Sequence, residues 1–319
     1  MDVVNLAFVA AVLGSSAPVL YAALGGALCG RAGLFNMALE GQLLWGAFSA
    51  VTVSWWTGSA WAGVVAAVVT TTVFSGVLAL GAVTWRADPI IVAVGMNLLA
   101  LGLTGFLLRE LLDATGTFAP AGLPGLPDLD LLDGVPVLGA LLGGQTLLVP
   151  LALLLAVAAS LWVNRTSVGL RLRGVGEHPE AATSLGVVVP RYQRATVLLA
   201  GALCGLGGAQ LSLGDVTAFT ENMTSGRGWV AVAAVMLAAN RPLLVLGACL
   251  LFGAAEAWGF RLQGLGMPQQ LTDAAPYLVT LVVLVASRLR VRRRLDEADP
   301  VAAVSAAHPE AVVHPEETR

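Results

Sequence analysis

The sequence contains no lysine. All 17 basic residues among its 319 are arginine, set against 20 acids. The Walker A phosphate loop needs a lysine to reach the β/γ-phosphates, and Schiff-base chemistry needs one as a nucleophile. The chain therefore does not hydrolyse ATP by the P-loop route. Histidine is nearly absent too. His178, His308 and His314 all lie outside the long apolar runs, so a membrane enzyme's nucleophile–base or metal constellation has nothing to build on. The three cysteines, Cys29, Cys204 and Cys249, are far apart in apolar sequence; their spacing is not that of a metal site, and they read as small hydrophobes. Charge is scarce as well, at 12% of residues where a soluble domain carries roughly 25%. That excludes a soluble enzyme, a disordered chain and a nucleic-acid binder, since no basic stripe is present to neutralise phosphates.

What is abundant is apolar sequence: 57% hydrophobic residues and a mean hydropathy of +0.82. The N-terminus opens with Asp2 and has no positive n-region, so it reads as a retained membrane segment and not as a signal peptide. Runs of about 18 or more apolar residues mark membrane-spanning helices. About nine (8–10) are expected, near 5–28, 41–60, 62–84, 90–110, 145–163, 194–214, 228–240, 243–260 and 271–288. The seventh is short for a span, and the glycine-rich stretch 24–44 carries polar residues that suit a broken helix. The expected fold is all-α, a polytopic helix bundle over residues 1–294 with a disordered tail at 295–319.

Arginine placement orients the bundle. With the cluster Arg288 to Arg294 in the cytoplasm and sides alternating through nine spans, about 14 of the 17 arginines fall inside; only Arg109, Arg227 and Arg261 fall outside. The N-terminus is then external and the C-terminus cytoplasmic, in a multi-pass protein of the cell membrane. An external loop runs over 111–144, rich in proline and acids, and an arginine-rich cytoplasmic loop over 164–193. GALCG occurs at 26–30 and again at 201–205, on spans of opposite direction. Opposed copies are what an inverted repeat of a transporter gives, although coincidence gives them as readily in a chain this rich in Gly, Ala and Leu. They count here as small-residue packing motifs.

Polar groups inside apolar spans are costly and mark function or a built contact. Asn36 and Glu40 are four residues apart, so on a helix they share a face. Glu40 either lines a substrate path or holds a helix end or neighbouring backbone, with Arg31 the nearest basic partner in sequence. Asn97 is either interhelical glue or a substrate contact. The external turn 214–229 brings together Phe219, Glu221, Met223, Arg227 and Trp229. Aromatic faces beside amide, hydroxyl and charged groups suit a sugar or nucleoside; the plain alternative is a connecting turn with an Arg227–Glu221 pair. Glu256 is expected to pair with Arg261. In the cytoplasmic loop, Glu177, Pro179, Glu180, Ala181, Ala182 and Gly186 spell a short helix. Pro179 fits the first helical position, Glu180 the positive helix start and Gly186 the left-handed stop.

Four stretches then carry a resemblance. They are Gly33-Leu-Phe-Asn36 through Glu40-Gly41; Ala87-Asp88 through Asn97 to Thr104; Gly169-Leu-Arg171-Leu-Arg173 with Gly176-Glu177 and Pro179 to Ala182; and Phe219, Met223-Thr224 and Gly226-Arg227-Gly228, continued by Glu256-Ala257 and Pro276 to Thr280. The chain resembles the permease subunits of ABC importers in the family serving branched-chain amino acids, ribose and other simple sugars, nearest the nucleoside branch. It departs from that pattern at Gln42, Trp229 and Asn240. The resemblance implies a permease without its own ATPase site and without a cofactor in this chain. It implies three partners: a separate ATP-hydrolysing subunit, a second permease that is a different chain and forms a heterodimer with this one, and an external substrate-binding lipoprotein. It also implies that the helix near 179–185 couples the ATPase to alternating access. A ribose-like sugar importer is the first alternative; an ion-coupled transporter using Glu40 or Glu256 is the weaker one.

Overall fold

The computed structural model describes residues 6–129 and 144–263. The expected span at 271–288 and the tail at 295–319 lie outside the described residues. Ten α-helices follow in chain order: α1 (Leu6–Arg31), α2 (Leu39–Thr57), α3 (Ala60–Leu78), α4 (Pro89–Leu112), α5 (Leu148–Arg165), α6 (Ser167–Glu177), α7 (Pro179–Ser184), α8 (Val189–Ala209), α9 (Arg227–Leu237) and α10 (Pro242–Gln263). The fold is all-α, as the sequence indicates. Six helical segments of the described residues are long and apolar enough to cross a membrane: 6–31, 60–84, 89–112, 148–165, 189–215 and 242–261. α2 has 19 residues and sits deep in the bundle, but it carries Glu40, Gln42, Ser49, Thr52 and Ser54 and is not one of the six. The seventh expected span is corrected. α9 has only 11 residues, roughly 16 Å at 1.5 Å per residue, too short for a 30 Å core.

Contacts at the helix ends sort the connections onto two sides. On one side Ser54 at the end of α2 donates to the Pro124 carbonyl (2.9 Å), and Leu126 N–H donates to the Leu213 carbonyl. There a two-residue strand β1 (Thr117–Phe118) pairs antiparallel with β2 (Phe219–Thr220). Arg261 near the end of α10 lies over the ring of Phe8 near the start of α1, 4.6 Å from its centre. On the other side Arg31 at the end of α1 donates from Nε to the Asn240 carbonyl (2.8 Å), and Gln193 Nε2 donates to the Ala32 carbonyl (3.3 Å). Gly33 packs there against Gly176. Of the arginines in the described helices and turns, Arg31, Arg86, Arg165, Arg171, Arg173, Arg191, Arg194 and Arg241 belong to this second side. Arg109, Arg227 and Arg261 belong to the first.

Small residues set the helix spacing. A Cβ added at Gly25 would come 2.9 Å from Ala200 Cα, and one at Gly205 would come 2.6 Å from the Ala67 carbonyl oxygen. Backbones of α1, α3 and α8 therefore touch, which is the close approach that small-xxx-small sequences permit in lipid. Two helices end in a π-helical turn, α3 through Ala79–Thr84 and α8 through Gln210–Asp215. Trp55, Trp56 and Trp61 stand exposed at the α2–α3 turn, where amphipathic indole rings suit a membrane interface.

Candidate functional site

The stretch 24–44 does contain a break, and its position matters. α1 continues to Arg31, the chain leaves the helix over 32–38, and α2 begins at Leu39. Gly33 turns the chain at φ +75°. Asn36 is in the break and not on a helix, so it shares no helical face with Glu40. Its Oδ1 accepts the Ala38 N–H (2.9 Å) and its Nδ2 donates to Gln42 Oε1 (3.3 Å). Asn97, on α4, clamps the same segment: its Oδ1 accepts the Gly41 N–H (2.8 Å) and its Nδ2 donates to the Met37 carbonyl (2.9 Å). The amide thus satisfies one donor and one acceptor that the break leaves without helical partners.

Glu40 does not pair with Arg31. Its Oε1 accepts the Thr224 hydroxyl (2.6 Å) and the Gly226 N–H (2.9 Å), and its Oε2 accepts the Gly228 N–H (2.6 Å). The carboxylate caps the start of α9 from a different helix. Free N–H groups and the positive end of the macrodipole both favour an anion there. Charge-assisted bonds of this kind are worth about 1.5–3 kcal/mol each. A side chain at position 228 would collide with Glu40 itself, so glycine is required for this seat.

Arg227, the first residue of α9, does not pair with Glu221. Its Nη2 donates to Glu256 Oε1 at 2.6 Å, with the two side chains 26% and 19% exposed. The expected Glu256–Arg261 pair does not form; five residues apart on a helix place two side chains about 140° apart. The Arg227–Glu256 pair lines a cleft of ≈ 410 Å³ that opens between α1, the segment 144–146 before α5, the start of α9, α10 and the π turn. Gln145, Thr146, Gln210, Asp215 and Phe260 also line it. Gln210 Nε2 donates to Asp215 Oδ1 (2.8 Å), and the Thr146 hydroxyl donates to Gln210 Oε1. Gln145, Thr146 and Gln210 carry no signal in the sequence, because polar residues at the margin of an apolar run are ordinary there.

The other candidate residues of the turn 214–229 lie apart from this cleft. Phe219 is fully buried, edge-on to Phe48 with ring centres 5.3 Å apart. Met223 is half-buried against the core. Glu221 is exposed beside Arg109, its N–H donating to the Gly116 carbonyl (2.8 Å). Trp229 projects from α9 and is 40% exposed. Among the described residues no group of three or more His, Cys, Asp or Glu side chains is placed to hold a metal ion.

On the arginine-rich side, the loop 164–193 is itself helical. Thr166 caps α6 by accepting the Gly169 N–H (3.0 Å). α7 starts at Pro179 and is stopped by Gly186 at φ +79°, with Val187 N–H reaching back to the Ala182 carbonyl. Ala182 is buried, while Glu177, Pro179, Glu180 and Ala181 are exposed. Behind them, Gly176 at the end of α6 packs on the Arg31 carbonyl, and no side chain fits between. The short helix therefore leans, through α6, on the entrance to the break at 32–38.

This geometry is that of a membrane bundle with a polar vestibule on one side and a rigid helical handle on the other. The family model described as "Branched-chain amino acid transport system / permease component" matches residues 8–286. The chain is 32% identical over 303 residues to the guanosine ABC transporter permease protein NupQ of Bacillus subtilis, covering 89% of this chain and 93% of that protein. It is 33% identical over 297 residues to the nucleoside ABC transporter permease protein NupC of Lactococcus lactis, with the same coverage of 89% and 93%. It is 28% identical to the glucose ABC transporter permease protein TsgB13 of Haloferax volcanii, covering 86% of this chain and 75% of that protein. No solved structure matches the chain. A family match running from the first described helix past the last, over the same break, vestibule and helical handle, makes this chain a member of the branched-chain amino acid transport system permease family.

Proposed function

We propose that the chain is the permease subunit of an ATP-driven importer of nucleosides. The observation that carries this is its similarity, over about nine tenths of its length, to two permeases named for guanosine and nucleoside transport. The side holding Arg31, Arg171 and Arg191 faces the cytoplasm, as the positive-inside rule requires, and the vestibule faces outward. Loaded binding protein docks over the vestibule, a second permease completes the path, and a separate subunit hydrolyses ATP. This chain needs no cofactor and does no covalent chemistry.

In this mechanism α7 seats in the ATPase. Its movement passes through Gly176 to Arg31 and Gly33, and so to the break at 32–38. Asn97 ties the α2 end of the break to α4, and Glu40, in the first turn of α2, ties it to the start of α9. Shifting the break moves α9, and with it Arg227 and the vestibule floor. The vestibule offers a guanidinium, carboxylates, carboxamides and a phenyl ring. These groups match the hydroxyls and flat base of a nucleoside in kind, and their weak, distributed contacts let it leave again.

The test is uptake of labelled adenosine, guanosine and uridine by cells with and without the gene. Uptake lost on deletion, restored by the gene and undiminished by excess glucose or ribose, is the expected result. Unchanged nucleoside uptake in cells that lack another nucleoside route moves the substrate to a simple sugar, the reading favoured by the similarity to the Haloferax glucose permease.

A further inference from the structure

We infer that the cleft between α5, α6 and α8 is a binding site for an anionic phospholipid of the leaflet on the arginine-rich side. The cleft measures ≈ 790 Å³, within the roughly 300–1,000 Å³ of pockets that enclose most of a ligand. Its walls are apolar, with Trp162, Leu172, Ala195 and Leu199 among them, and no acid among the described residues lines it. Arg171 and Arg191 stand at its edge, both exposed, and among the described residues neither forms an ion pair. The Leu199 side chain is 40% exposed, and Leu161 and Leu154 on α5 are 55% and 65% exposed, so the cleft is continuous with the lipid-facing surface. α5 and α8 make no extended contact with each other, which leaves the cleft open along their length.

The charge complementarity selects the occupant. A groove with hydrocarbon walls at membrane depth and two exposed guanidinium groups at the headgroup level takes a molecule with acyl chains and a phosphate. Basic pockets between transmembrane helices bind such headgroups, and guanidinium forks match phosphate oxygens in pairs. A zwitterionic lipid brings its own cation to the two arginines and so binds less well. Leu185 and Gly186, which end α7, also line the cleft. A lipid seated there braces the helix from behind. Only the name of the leaflet, cytoplasmic, rests on the orientation proposed above.

The experiment is native mass spectrometry of the purified full-length protein, with whatever subunits co-purify, titrated with phosphatidylglycerol and with phosphatidylcholine of the same chains. Phosphatidylglycerol should bind more tightly. Arg171→Gln with Arg191→Gln should weaken it by about tenfold or more, while Arg165→Gln, outside the cleft, should leave it unchanged. Leu199→Trp, which fills the cleft without touching charge, should reduce binding of both lipids. Equal binding of the two lipids by the wild type, or unchanged binding in the double variant, would overturn the site. So would cross-linking of Leu199→Cys to another protein segment, which would give the cleft a protein occupant. None of these readouts depends on transport, so loss of the nucleoside reading leaves the lipid site standing, and the reverse.

Discussion

Glu40 shows how one carboxylate becomes affordable at membrane depth. An unpaired acid at the centre of a span costs roughly 2.5–3.5 kcal/mol on the insertion scale. Here three donors from residues 224–228 surround it, so the charge completes a helix end. Glu40→Ala should leave the α9 N–H groups without a partner and cut uptake at least tenfold, with lower yield of folded protein. Glu40→Gln keeps the shape and should be milder. If Glu40 were an ion-coupling site, Glu40→Gln would instead abolish uptake at unchanged thermal stability, and a melting curve beside an uptake assay separates the two. Arg227 and Glu256 make a second residue-scale test. Removing one partner of a fully buried pair costs about 3–5 kcal/mol, and this partly exposed pair should cost less than that. Arg227→Glu or Glu256→Arg alone should therefore lower the melting temperature and uptake sharply, and combining them should restore part of both.

At the scale of elements, the break at 32–38, the short α9 and the handle α6–α7 form one train. Gly176 is where it is most exposed to test, since a Cβ there meets the Arg31 carbonyl. Gly176→Val should push α6 off the break; the protein should still insert, while ATP hydrolysis by the assembled complex no longer responds to loaded binding protein. Glu177→Arg with Ala181→Trp alters the exposed face of α7 and should abolish uptake with insertion intact; normal uptake and normal recovery of the ATPase would remove α7 from the mechanism. Much of this level could be read from sequence. Pro179 and Gly186 mark α7 because their backbone chemistry is local, and the long spans follow from hydropathy. The partners of Glu40 and Arg227 could not be read. Glu40 reaches 184–188 residues along the chain, and no local rule links such positions. Asn36 was misplaced because a spacing of four implies a shared face only where the chain is helical, and hydropathy does not report a seven-residue break inside an apolar stretch.

For the whole molecule, the described helices leave much hydrocarbon exposed. Val65, Val69 and Val73 on α3, and Leu98, Leu101 and Phe106 on α4, all face outward. These are surfaces for lipid or for a second permease. The chain has no lysine and so no Walker A loop of its own, which fits the proposal that a separate subunit hydrolyses the ATP. The central claim is thus import of nucleoside driven by ATP hydrolysed elsewhere. It is tested most directly in proteoliposomes holding this chain, its partner permease and its ATPase, with loaded binding protein outside and ATP inside. Labelled guanosine should accumulate only when ATP and binding protein are both present, and vanadate should stop it. Accumulation that needs no ATP and collapses with a protonophore would contradict the account and make this an ion-coupled carrier.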